Sequence, residues 1–109
     1  MTYYLGVIFI ESPVFTRQVI ELLSDDSYAA FQHFLAMQPD AGDVIQGTGG
    51  LRKIRWAAQG KGKRGGVRVI YFYVSARQQI RMLLIYRKGV KDDLSAAEKK
   101  VLRALNETW

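Results

Sequence analysis

The chain of 109 residues has no cysteine, a single histidine, two prolines, and no Asp or Glu between Val44 and Lys91. Each absence excludes something. Without cysteine there are no disulfides and no thiolate metal sites, and nothing points to an oxidising compartment. One histidine, His33, placed mid-helix by the pattern around it, leaves no ligand set for zinc. A metal-dependent nuclease needs two or three clustered carboxylates. The only acidic pair near the acid-free window is Asp92-Asp93, which is expected to serve the N-terminus of the last helix. No apolar run is long enough to span a bilayer. Tyr3 to Ile10 lacks a basic n-region and breaks at Glu11, too short for a signal segment with its cleavage site, so a cytoplasmic protein is expected, without a membrane partner.

What is present is positive charge in one place. Net charge is +6, and the window from Val44 to Lys91 holds 12 of the 16 Lys and Arg residues. Such a surface suits a polyanion, because each cation set against a phosphate releases a condensed counterion. The length fits one domain, residues 1–109.

Hydrophobic spacing orders the rest. YYLGVIFI reads as a buried first strand. Ser12-Pro13 opens a helix as N-cap and first helical residue, with Val14, Phe15, Val19, Leu22 and Leu23 on one stripe. Ser24-Asp25-Asp26 caps a second helix, Tyr28 to Met37, which Gln38-Pro39 stops. Leu51 to Ala58 alternates, with Ile54, Trp56 and Ala58 facing one way and Lys53 and Arg55 the other. Trp56 therefore reads as core. GKGKRGG, residues 60–66, is a basic hairpin loop without the spacing of a P-loop. Val67 to Val74 and Ile80 to Tyr86 are nearly continuous apolar runs, as in central strands covered on both faces. Tyr71, Tyr73 and Tyr86 are either core with the hydroxyl at the rim or platforms for stacking a base. Ser95 with Glu98 makes a capping box for the last helix, whose stripe is Val101, Leu102, Leu105 and Trp109. The order β-α-α-β-β-β-α predicts an α+β fold: a two-helix hairpin packed on an antiparallel sheet, with a C-terminal helix.

Lys53 and Arg55 share a strand face and Arg68 opens the partner strand, so a hairpin brings three cations together. A same-sign cluster of this kind is costly without an anionic partner. The surrounding cations Arg52, Lys61, Lys63, Arg64, Arg81 and Arg87 are candidate RNA-binding residues.

The stretch GDVIQGTGGLRKIRWAAQGKGKRGGVRVIYFYV, with LLIYRKGVKDDLS after it, resembles the HigB branch of the RelE toxin superfamily, and the resemblance covers essentially the whole chain. It implies a RelE-like fold and the toxin of a type II toxin–antitoxin pair, similar to enzymes that cleave mRNA in the A site of the 30S subunit, among rRNA. The implied partner is a HigA-like antitoxin of helix-turn-helix type. Such enzymes use the RNA's own 2′-OH as nucleophile, leaving a cyclic phosphate and needing no metal or cofactor. By position, Lys53 and Arg55 take the paired basic places on the second strand. Arg68 takes the arginine opening the third strand, and Lys88 or Lys91 the basic residue after the fourth. Better-known relatives carry two lysines where this chain has Lys53 and Arg55. Their C-terminal aromatic has no counterpart in DDLSAAE, and Tyr86 is the substitute. Lys53, crowded by Arg52, Arg55 and Arg68, is the expected general base, since arginine stays protonated. A ParE-like gyrase poison on the same fold is the alternative, and a non-catalytic RNA-binding or antitoxin-sequestering module a third reading.

Overall fold

The structure is a computed structural model that describes residues 2–57, 66–91 and 93–109. Two serines start the helical layer. Ser12 Oγ accepts from the Phe15 backbone N–H and Pro13 opens α1, Pro13–Leu22. Ser24 does the same for α2, Asp25–Met37, whose first turn carries Asp25 and Asp26 where the helix dipole favours negative charge. This helix begins three residues before its expected start. The third helix, α3, spans Ala96–Glu107 and opens with the full Ser95–Glu98 capping box. Among the described residues no helix is long and apolar enough to cross a membrane.

The strands are β1 (Thr2–Tyr4), β2 (Val7–Glu11), β3 (Asp43–Val44), β4 (Arg52–Trp56), β5 (Val67–Val74) and β6 (Gln79–Arg87), forming one sheet in the order β1-β2-β6-β5-β4-β3. Two expectations are corrected here. The opening run is a hairpin rather than a single strand. Leu5 and Gly6 both take positive φ, 50° and 81°, as the tight turn between two antiparallel strands requires. The sheet is mixed rather than antiparallel, because β2 joins β6 in parallel while every other pairing is antiparallel. Local sequence pattern carries no information on that direction, which the helical connection sets. The α+β class holds, with three helices on a mixed sheet.

Pairing between β5 and β6 jumps from Ile70–Leu84 to Tyr71–Met82, leaving Leu83 unopposed. This bulge shifts the phase of β6. Ile80 and Met82 face the helical hairpin before it and Ile85 after it, while Leu83, Leu84 and Tyr86 face α3. The Leu83 carbonyl accepts from Ser12 Oγ at 2.8 Å, tying the bulge to the start of α1.

Each face of the sheet has its own core. Phe15, Val19, Phe31 and Leu35 of the helical hairpin close over Phe9, Val69, Tyr71 and Met82. On the reverse, Leu102 of α3 and Leu94 pack with Leu51, Ile70, Leu83 and Tyr86.

Candidate nucleic-acid interface

Alternation along β4 splits its side chains as expected. Ile54 and Trp56 pack into the hairpin-side core, where Trp56 meets Phe31 edge-on at 5.2 Å and its Nε1–H donates to Ser27 Oγ at 3.2 Å. Trp56 is a core residue. Lys53 and Arg55 then point to the face that α3 only partly covers. Arg55 lies directly opposite Arg68 on β5, and Arg68 opposite Tyr86 on β6, so the three make one row across the sheet. The bulge at Leu83 puts Tyr86 into this row.

The chain after β6 returns over the same face. Lys88 N–H donates to the Gly66 carbonyl, and Lys88 and Lys91 bridge around a turn in which Gly89 has φ 90°. That positive φ strains any side-chain-bearing residue. The result is a cleft of about 400 Å³ lined by Lys53, Arg55, Arg68, Lys88, Gly89, Lys91 and Asp93. A recess of about 170 Å³ shares Arg55, Arg68 and Lys88 with it and ends at Ala57 and Gly66. Five of the six expected catalytic residues thus line one cavity.

Among the described residues, two of its cations are engaged by carboxylates and three are not. Lys53 Nζ donates to Asp93 Oδ1 at 3.0 Å. Lys91 pairs with Glu98, whose other oxygen accepts from the Ser95 backbone in the capping box. The hydrogen bond from Lys91, together with that from Ser95, holds the Glu98 carboxyl below the ordinary glutamate range. Arg55, Arg68 and Lys88 have no carboxylate partner among the described residues. Guanidinium groups facing solvent across one row can grip two oxygens of a phosphate each.

Tyr86 is the sixth expected residue, and it lies beneath the cleft. It is 6% exposed, and its buried hydroxyl has no hydrogen-bond partner among the described residues. Burial pushes its phenol up, against the pull of Lys53, Arg68 and Lys91, so it stays protonated at neutral pH. Its ring lies 5.6 Å from Lys91 Nζ, a floor for the ammonium rather than a stacking platform. Tyr71 is also core: its hydroxyl donates to the Pro39 carbonyl at 2.8 Å and accepts from Gly42 N–H at 2.9 Å. Tyr73 packs against the hairpin-side core.

Of the outer set of expected RNA-binding residues, the three that the structure describes do not line the cleft. Arg52 Nη1 donates to the Asp40 and Gly42 carbonyls on the opposite face of β4. Arg81 lies 5.9 Å from the Phe72 ring and 5.8 Å from the Trp109 ring, and donates to Asn106, so it fastens the end of α3. Arg87 is exposed at the end of β6, where alternation turns it away from Tyr86. Lys61, Lys63 and Arg64 fall outside the described residues, as does Asp92. His33 is exposed on α2, on the far side of the sheet.

Asp93 is the residue that sequence reasoning misplaced. Ser95 and Glu98 already satisfy the start of α3, and Asp93 turns instead to Lys53. The available signal was its position: an acid two residues beyond the last cation of an acid-free window is a natural counter-charge for that window. No family model matches the chain.

Proposed function

We propose that this chain is a RelE-like toxin of the HigB type, a ribosome-dependent endoribonuclease that cuts translated mRNA in the A site. The observation that carries the reading is the cleft itself. Lys53, Arg55, Arg68, Lys88 and Lys91 converge on one open cavity, and three of them have no carboxylate partner among the described residues. A cluster of this kind is stabilised by an incoming phosphodiester. The helical hairpin on one face and the C-terminal helix on the other are in keeping with the resemblance seen in the sequence.

Arg55 and Arg68 clamp the scissile phosphate and stabilise the charge that grows on it during attack. Lys88, an ammonium without a described carboxylate partner, is the better placed of the two lysines after β6 to protonate the leaving 5′-oxygen. Lys91 is committed to Glu98 and to the ring of Tyr86. The partner that silences the protein is a helix-turn-helix antitoxin of HigA type.

Expression without an antitoxin tests the reading. Growth should arrest, and primer extension should reveal new mRNA 5′ ends within translated frames. Unchanged mRNA ends accompanied by double-strand DNA breaks would replace it with gyrase poisoning.

A further inference from the structure

The five cations that line the cleft are all donors. Neither an ammonium nor a guanidinium has a lone pair to receive a proton while charged. Attack by a ribose 2′-oxygen on phosphorus needs a group that takes its hydrogen. Among the described residues lining the cleft, Asp93 is the one side chain with acceptor oxygens. Its side chain is 81% exposed and engages Lys53 through Oδ1, and Oδ2 has no partner among the described residues. Two further acceptors near the cleft among the described residues, Glu98 and the Tyr86 hydroxyl, are spoken for or buried: Glu98 is held by Lys91 and the Ser95 backbone.

We propose that Asp93 is the general base of the cleavage and that Lys53 is the ammonium that positions its carboxylate. The assignment rests on the nuclease reading above. In the step, the 2′-OH proton passes to Asp93 and the O2′–P bond forms. The P–O5′ bond breaks, and a lysine ammonium, Lys88 on the reading above, gives its proton to the departing oxygen. The products are a 2′,3′-cyclic phosphate and a 5′-OH. Bulk water then returns the proton from Asp93 to the lysine. Lys53 was expected to be the base from its cationic surroundings; its hydrogen bond to a carboxylate commits its ammonium as donor instead.

The test is single-turnover cleavage on ribosomes programmed with mRNA, using two substrates. One has an ordinary scissile linkage, and the other has sulfur in place of the bridging 5′-oxygen, a leaving group that needs no acid. Asp93→Asn should slow the ordinary substrate by about 10²–10⁴-fold, with Asp93→Glu recovering part of the loss. Lys53→Arg should retain more of the rate than Asp93→Asn. The sulfur substrate should rescue Lys88→Ala, which lacks the acid, and should not rescue Asp93→Asn. A merely structural contact to Lys53 would survive Asp93→Asn, whose amide oxygen still accepts from the ammonium, so a large loss in that variant reads the missing base. An Asp93→Asn protein that cuts as fast as wild type, or that sulfur restores, overturns the assignment. A wild-type protein that cuts neither substrate removes the nuclease reading and the assignment with it.

Discussion

The two faces of the sheet are built from the same strands and handle charge in opposite ways. Toward the helical hairpin, β4 and β5 present Ile54, Trp56, Val67, Val69 and Tyr71 to a closed aromatic and aliphatic core. Toward α3, the alternate positions of the same strands present Lys53, Arg55 and Arg68, and α3 covers only the far end of that face through Leu102. A single β-strand thus contributes to stability with one set of residues and to binding with the next. The closed face lets the open face keep like charges side by side.

The largest effect is expected on the closed side. Phe31 is fully buried and packs edge-on against Trp56. Phe31→Ala should cost about 3–5 kcal/mol of unfolding free energy in denaturant titrations. A loss under 1 kcal/mol would mean the hairpin side is not the part that holds the fold.

Arg68→Ala tests the open side and should give the reverse pattern. Single-turnover cleavage should fall about 10²-fold. Stability should stay level or rise, since like charges directly opposite on neighbouring strands cost roughly 0.2–1 kcal/mol and Arg55 faces Arg68. Destabilisation on the scale of Phe31→Ala would show that the row is structural.

Tyr71→Phe is intermediate. It leaves the Pro39 carbonyl and the Gly42 N–H without their shared hydroxyl, at about 1–3 kcal/mol, with the loop before β4 loosened. Amide exchange at Gly42 should rise; unchanged protection would dismiss the hydroxyl as an anchor.

The smallest effect is electrostatic. Because the Glu98 carboxyl is held below its ordinary value, its contribution is present above that value. It fades as the pH falls through the lower native one. Glu98→Gln keeps the capping geometry and loses the charge. Melting temperatures taken from about pH 6 to about pH 3 should therefore decline less steeply for the variant, acid stability being a matter of carboxylates that must take up protons.

What was legible in the sequence follows the same division. Caps and helical stripes are local, so Ser12, Ser24 and Ser95 could be read directly. The period of two along β4 separated Trp56 from Lys53 and Arg55 without a structure. Three features were hidden for physical reasons. A Leu-Gly turn lacks the Asn-Gly chemistry that usually marks a tight hairpin, so β1 and β2 merged into one strand. The continuous apolar run of β6 conceals a change of phase, and with it the bulge at Leu83 that aims Tyr86 at the cleft. Arg81 looked like part of the basic surface because nothing nearby in sequence announces Asn106 and Trp109 as its partners.

The parallel seam between β2 and β6 also bears on the order of assembly. Strands β5 and β6 close through a turn ending at Gln78, whereas the hydroxyl of Ser12 reaches the carbonyl of Leu83 across 71 residues of chain. Loop closure over that distance carries a far larger entropic cost, and long-range pairing is slow for that reason. The β4–β6 meander, with its cationic row, is expected to form first, and the N-terminal hairpin to dock last as a seal along β6. In kinetic terms, substitutions in β5 should slow folding while those in β2 should mainly hasten unfolding, a split that folding and unfolding rates in denaturant would display directly.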